Sequence, residues 1–257
     1  MTIRTVQTNH GIIKNVGKLN HYTSKYYIVL NETILKYFYK NRISDKNNTS
    51  LIFNGIDFPE FPVIKKNKYI RVIAASRLIK EKGLVTFIKA VSILDDEIKT
   101  RAEFIIAGEG LDENEFKILN DKLRAGVKFI GQQTDMNEIL KDTDIFIIPT
   151  ESGNEAFPMT ILEAAAANNL IISSDFNGSQ DFLTKDTDSL IFRMKDEIDL
   201  AAKIKYAILN PEISVKLSES FFFKAKRLYN SMIMSKRHSE LYKSILTESI
   251  NKSLYDT

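Results

Sequence analysis

From Tyr69 onward the chain alternates between short β-branched apolar runs and amphipathic stretches. The runs are IRVIAAS, AEFIIAG, VKFIG, DIFIIPT, LIISSD and SLIF, and helices are predicted to begin near Gly83, Asp112, Met136, Pro158 and Ser179. A strand that is apolar throughout, rather than at every second residue, is buried on both faces. Such strands, separated by helices and short loops, make βαβ units around a parallel sheet with helices on either side. The predicted fold class is α/β, a doubly wound parallel sheet, with no internal repeat. After Phe192 the pattern is helical: 197–209, then 211–229, then 232–246.

Residues 1–55 read differently. IRTVQT, YYIVLN and TSLIF look like strands, and Glu32 to Lys40 is the one convincing helix among them. So few elements cannot cover both faces of a parallel sheet, and a segment this short is marginal for a core of its own. The expected organisation is a partial, β-rich N-terminal segment (1–55) left from a larger domain, a second domain over 56–228, and a C-terminal helix and tail over 229–257. FNGIDFPEFP, with Gly55, Pro59 and Pro62, looks like the linker after the first part. The edge strands of that part would call for a partner chain or self-association.

Composition removes several function classes. At 257 residues and 44% hydrophobic, the chain can bury a sizeable core. No apolar run reaches the roughly eighteen residues of a membrane span, and MTIRTVQTNHG has no apolar signal-peptide core. With no cysteine there is no disulfide framework and no thiolate ligand, as expected of a cytoplasmic protein. A net charge of +3, with both signs interleaved, argues against nucleic acid as a partner.

In a doubly wound sheet, ligands bind where strands end, at their carboxyl edge. ASRLIKEKG lies there, between a strand and a helix, and sets Arg77 and Lys82 over a helix N-terminus suited to phosphate oxygens; the alternative is a solvated basic loop. IIAGEGLDENEF puts Gly108 and Gly110 in a tight turn beside the ligand, but the third glycine of a dinucleotide fingerprint falls on Glu113. ESGNEAFPMTILEAAAANN follows DIFIIPT. Pro158 suits the first helical position, Asn168 and Asn169 suit a left-handed helix end, and the N–H groups of Met159, Thr160 and Ile161 face the ligand edge. Glu155 and Glu163 flank that helix start. Carboxylates accept well from vicinal hydroxyls, so the pair is placed to hold polyols on either side of a diphosphate; equally, Glu155 complements the helix dipole and Glu163 is a surface residue.

Other groups read as bland. The Asp-Thr-Asp triplets at 142–144 and 186–188 precede their strands, so they belong to helix-to-strand turns and not to a metal site. His10, His21 and His238 share no metal-ligand spacing, and His10, in TNHG, reads as a turn residue or an active-site neighbour.

Taken in order, NGIDFPEF, ASRLIKEKG, FIIAGEG, VKFIGQQTD, DIFIIPT, EAFPMTILEAAA, NGSQDFL and DSLIF resemble the C-terminal, donor-binding half of GT-B glycosyltransferases. The similarity is to the retaining, nucleotide-sugar-dependent enzymes of glycosyltransferase family four, or group 1, whose donor domain is Rossmann-like. The resemblance implies that Arg77 and Lys82 neutralise the donor diphosphate, that Glu155 binds sugar hydroxyls, and that Glu163 binds the ribose. It implies that Ile130, Gly131 and Gln132 border the nucleobase, while Gly108, Gly110, Phe157, Met159 and Thr160 complete the donor site. No metal and no other cofactor are implied, and the leaving diphosphate helps to deprotonate the acceptor. Pro158 stands where glycine is commoner, the two asparagines stand where a glycine is frequent, and Asp181 replaces a usual glutamate. Most of the N-terminal acceptor domain of a full member has no counterpart here.

The implied function is sugar transfer from a nucleoside-diphosphate sugar, with retention, to an acceptor glycan or lipid-linked saccharide in surface-polysaccharide or lipopolysaccharide synthesis. The alternative is a nucleotide-sugar-binding subunit, or an inactive remnant, that needs a partner chain to complete the N-terminal domain. The last helix, with Ile233, Lys236, Arg237, Leu241, Tyr242 and Ile245, packs on the domain or lies against the inner face of the cell membrane.

Overall fold

The computed structural model describes residues 6–9, 26–65, 69–151 and 157–255. Its centre is a parallel sheet of six strands in the order β6-β5-β4-β7-β8-β9. In chain order these are β4 (Ile70–Ala75), β5 (Ala102–Ala107), β6 (Lys128–Phe129), β7 (Ile145–Ile148), β8 (Leu170–Ser174) and β9 (Leu190–Phe192). The doubly wound order follows from how the strands bury their side chains. Val72 and Ala74 of β4, with Ile145 and Ile147 of β7, enter one buried cluster; Ile73, Phe146 and Ile148 enter the other. Alternate residues point to opposite faces, so a strand apolar at every position needs helices on both. On the first face lie α2 (Leu84–Ser92), α4 (Glu113–Leu123) and α7 (Glu197–Leu209). On the second lie α6 (Met159–Ala166) and α8 (Pro211–Leu228).

The remaining helices of this part are short. α3 (Asp96–Arg101) escapes the sequence pattern because it buries only Ile98; its order comes from acidic residues in the first turn and Lys99 and Arg101 in the last. α5 (Met136–Lys141) is capped by Asp135, whose carboxylate accepts from Asn137 and Glu138 N–H. The helix predicted at Ser179 is corrected to a single 3-10 turn, Ser179–Asp181. Gly178 enters it at φ +101°, and Phe182 and Leu183 then turn straight into the core, which leaves no room for a second turn.

The N-terminal part forms a separate parallel sheet, β1 (Val6–Asn9), β2 (Tyr26–Val29) and β3 (Thr49–Leu51), in that order. α1 (Glu32–Lys40) has the predicted ends, because Asn31 Oδ1 caps it by accepting from Ile34 N–H at 2.7 Å. Tyr27, Val29, Ile34 and Phe38 share one buried cluster with Phe146, Ile161, Phe182 and Phe221. The segment that is too small for its own core therefore borrows one from the larger sheet. Two polar contacts reinforce the junction: Thr33 N–H donates to Asp181 Oδ2 at 2.8 Å, and Ile56 N–H donates to Tyr229 O at 3.1 Å. α9 (Ser231–Tyr255) sends Met234 and Leu241 into the same cluster and runs beside β3, where Arg237, Leu241 and Ser244 face Ser50, Leu51 and Ile52. No described helix is long and apolar enough to cross a membrane.

Candidate active site

The strand order reverses between β4 and β7, the neighbours from which the two halves of the sheet wind apart. A crevice opens at such a switch point, above the carboxyl ends of both strands. β4 runs out into Ser76 and Arg77, and β7 into Pro149 and Thr150.

Backbone hydrogen bonds hold the loops around this crevice. Ser76 N–H donates to Ala107 O at 3.1 Å, Leu78 N–H to Glu109 O at 2.9 Å, and Asp112 N–H to Leu78 O at 3.0 Å. The two chains come so close that a Cβ on Gly108, whose φ is +130°, would sit 1.9 Å from Ser76 O. Across the crevice, a 3-10 turn, Lys80–Lys82, ends at Gly83 with φ +69°, where a Cβ would lie 1.8 Å from Pro149 O. Glu151 ties the same two loops together. Its N–H donates to Glu81 O at 2.9 Å, and its carboxylate accepts from Thr86 Oγ1 at 2.8 Å and faces Lys195 at 3.7 Å. Backbone contacts thus fix the loops that carry Arg77 and Lys82.

The crevice holds a cavity of about 200 Å³ lined by Ser76, Arg77, Lys82, Thr150, Met159 and Thr160. A second cavity of about 470 Å³ shares Ser76, Arg77 and Thr160 with it and extends over Gly108, Gly110, Gln132, Gln133 and Met136. Among the described residues, the charged side chains that line the smaller one are Arg77 and Lys82. Arg77 forms no ion pair among the described residues. α6 points its N-terminus at the same space, with no acidic residue in its first turn and no side-chain cap, Pro158 being its N-cap. Met159 and Thr160 N–H have no partner among the described residues, whereas Ile161 N–H donates to Pro158 O at 3.2 Å, which corrects the expectation of three open donors to two. Among the described residues, a helix N-terminus without a side-chain cap beside two cationic side chains is an arrangement that favours an anion.

Glu163 lies one turn beyond Thr160 on the same face of α6. Burial raises its carboxyl above the usual carboxylate range, and no donor among the described residues relieves it. Ile130 N–H donates to Ile106 O at 3.0 Å while its side chain packs on the core, and it lines neither cavity. Gly131 O accepts from Gly108 N–H at 2.8 Å, and Gln132 lines the larger cavity. Of the expected set, Glu163, Ile130, Gly131 and Phe157 line neither cavity, and Phe157 turns into the core. Its ring is buried, 4.9 Å from Phe182 and 5.1 Å from Tyr229, because an aromatic cluster joining the two sheets takes it. Glu155, His10 and His21 lie outside the described residues; His238 is on α9, with Nδ1 2.9 Å from Met234 O.

The Asp-Thr-Asp triplets are turns at the other edge of the sheet. Asp144 Oδ2 accepts from Arg71 N–H at 2.8 Å, and Asp188 accepts from Thr184 N–H at 2.7 Å and pairs with Lys224 at 2.6 Å. Among the described residues no cluster of three or more His, Cys, Asp and Glu is arranged to hold a metal ion. The sequence reading missed Ser76, Thr150, Gln133 and Met136 as lining residues. The first two adjoin motifs and follow from strand ends; Gln133 and Met136 carry no local signal.

With this geometry in place, similarity to known proteins is informative. Residues 57–221 match the family described as glycosyl transferases group 1. The chain is 29% identical over 176 residues to the N,N'-diacetylbacillosaminyl-diphospho-undecaprenol alpha-1,3-N-acetylgalactosaminyltransferase of Campylobacter jejuni, covering 68% of this chain and 45% of that one. It is 27% identical over 169 residues to the UDP-Gal:alpha-D-GlcNAc-diphosphoundecaprenol alpha-1,3-galactosyltransferase of Escherichia coli, covering 59% and 43%. This chain thus spans about half the length of these curated relatives. In structure it matches Anabaena Alr3699/HepE in complex with UDP-glucose, with a TM-score of 0.81 at 16% identity, over 94% of this chain and 72% of that one. At that identity the likeness establishes the α/β fold.

Proposed function

Because this chain belongs to the glycosyl transferases of group 1, we propose that its crevice binds a nucleoside-diphosphate sugar and serves sugar transfer with retention. The observation that carries the reading is the convergence of Arg77, Lys82 and the open N–H groups of Met159 and Thr160 on one cavity at the switch point of the sheet. The diphosphate sits there. The nucleoside extends along Gly108, Gly110, Gln132 and Gln133, which line the larger cavity, with the base toward Gly131 and the ribose toward Glu163. Glu155 holds hydroxyls of the sugar.

As the bond from the sugar's anomeric carbon to the diphosphate oxygen breaks, negative charge collects on that oxygen. Arg77, Lys82 and the α6 N-terminus are already oriented to stabilise it, which is the efficient form of electrostatic catalysis. The departing diphosphate takes the proton from the acceptor hydroxyl on the same face, which gives retention without a side-chain nucleophile. The two cationic side chains supply the neutralisation that a divalent cation gives elsewhere, so no metal is invoked. The relatives whose names include undecaprenol-linked saccharides support a lipid-linked or polysaccharide acceptor at the cytoplasmic face of a membrane. Acceptor orientation and water exclusion need a facing domain, supplied by further chain, a partner or a second copy.

Thermal-shift screening against UDP-, GDP-, ADP- and CMP-sugars tests the donor. A ligand at a hundred times its Kd stabilises by about 2.7 kcal/mol, a rise of roughly 5–10 °C for a chain of this size. Binding without transfer would favour a binding subunit; no shift with any nucleotide sugar would remove the reading.

Glu163 gives a second expected result. Its folded-state pKa is raised above the ordinary 4.5, so the stability it contributes is present in full below pH 4.5 and is lost as pH rises through the folded value. Glu163→Gln should therefore raise the melting temperature of the unliganded protein at pH 7, with the gain vanishing in acid. The same variant should weaken nucleoside diphosphate binding by about 1.5–3 kcal/mol, the worth of one hydrogen bond to a charged group. Calorimetric titration and melting curves on one sample read both.

A further inference from the structure

At the opposite edge of the six-stranded sheet, away from the proposed donor site, lies a cavity of about 230 Å³. Its walls are largely apolar, with Ile64, Ile70, Ile145, Ala207, Pro211 and Val215 contributing. Lys65 also lines it. Its Nζ donates to Asn168 O at 3.1 Å and to Thr143 O, and forms no ion pair among the described residues. An ammonium has three N–H donors; a neutral amine has two and one lone pair. The two carbonyls account for the donors of the neutral form and leave the lone pair over. Burial pushes the Lys65 pKa from 10.5 down to about 7, against the pull of Asp144 and Asp142.

We propose that Lys65 is the nucleophilic amine of a second site, one that captures small apolar aldehydes as imines in this cavity. The charged groups around it decide the ligand class. Asp144 lines the cavity from the turn before β7 and Glu219 lines it from α8, while Asp142 acts from the same turn as Asp144 and is near Arg71. These acids disfavour anions, and the apolar walls disfavour polar ligands. At about 30 Å³ per water-sized unit, the space suits a molecule of roughly seven or eight non-hydrogen atoms. The amine lone pair attacks the carbonyl carbon and forms the C–N bond. One proton passes from nitrogen to the carbonyl oxygen to give the carbinolamine; the hydroxyl then takes up a second proton and leaves as water while nitrogen releases its remaining proton, which leaves the C=N bond. No oxidant or reductant enters these steps, and the imine hydrolyses back.

Butanal with cyanoborohydride, which reduces the imine to a stable secondary amine, tests this on the intact protein by quantitative peptide mapping at limiting reagent. At pH 7 Lys65 should be labelled on the order of tenfold or more faster than the median lysine, because ordinary lysines near pKa 10.4 are almost wholly protonated there. Its rate should reach half-maximum near pH 7. Val215→Trp, which adds bulk to the cavity wall and leaves Lys65 in place, should slow labelling of Lys65 about tenfold and leave the other lysines unchanged. Labelling of Lys65 no faster than the median, a rate that rises only near pH 10, or indifference to Val215→Trp would each overturn the proposal. None of these readouts depends on the donor site, so failure of the nucleotide reading would not move them.

Discussion

Alanine in place of Arg77 or of Lys82 should lower sugar transfer about 10²- to 10³-fold in each case. The magnitude follows from the loss of one preorganised donor to a developing oxyanion, about 2.7–4 kcal/mol. Both side chains line the smaller cavity with the open N–H groups of α6. The diphosphate is charged in the ground state as well, so part of the effect should appear as weaker donor binding. The charge that develops on the leaving oxygen should appear in kcat. Arg77→Lys should retain only part of the activity, since an ammonium cannot make the bidentate contact of a guanidinium. Asp142→Ala is the control: it changes a carboxylate at the other edge of the sheet, 3.8 Å from Arg71, and should leave donor affinity and rate unchanged. Steady-state kinetics on an assembly active in sugar transfer separate these outcomes. Wild-type rates in both alanine variants would sink the assignment.

The second large effect is structural and reaches the site through the backbone. Gly108→Ala should destabilise the protein by roughly 3 kcal/mol, because the position combines a positive φ with a Cβ driven into Ser76 O at 1.9 Å. For a chain of this length that is on the order of 10 °C in melting temperature. Any relief must separate the loop carrying Arg77 from the loop at Glu109, whose carbonyl accepts from Leu78 N–H. Nucleoside diphosphate affinity should therefore fall even at a temperature where the variant remains folded. An alanine variant with wild-type melting and wild-type affinity would show that this close approach is not needed.

The six central strands were legible from local pattern, because burial on both faces writes itself as a short, mostly apolar run; at the edge strand β6, where Lys128 is exposed, the run VKFIG is weaker. The start of α1 has a local cause, the Asn31 cap, which agrees with the predicted bounds Glu32 to Lys40. What escaped was whatever lacked such a signature. α3 buries one side chain, and the turn after Gly178 is cut short by Phe182, which is a tertiary demand. The site divides the same way. Arg77, Lys82, Gly108, Met159 and Thr160 sit at strand and helix ends that any doubly wound sheet presents to a ligand, and they line the two cavities. Phe157 sits beside them in sequence, yet its ring is claimed by Phe53, Phe182 and Tyr229, residues distant along the chain. Proximity in sequence could not reveal that competition. The shared core between the N-terminal segment and the larger sheet was likewise invisible to periodicity, since it depends on which faces meet.

The most direct measurement is a crystal structure of the protein with a bound nucleoside diphosphate. The β-phosphate oxygens are predicted to lie within hydrogen-bond distance of Met159 and Thr160 N–H, flanked by Arg77 and Lys82, with the nucleoside running toward Gly108 and Gln132. Phosphate density at the opposite edge of the sheet, or a diphosphate that leaves the α6 N-terminus empty, would contradict the account.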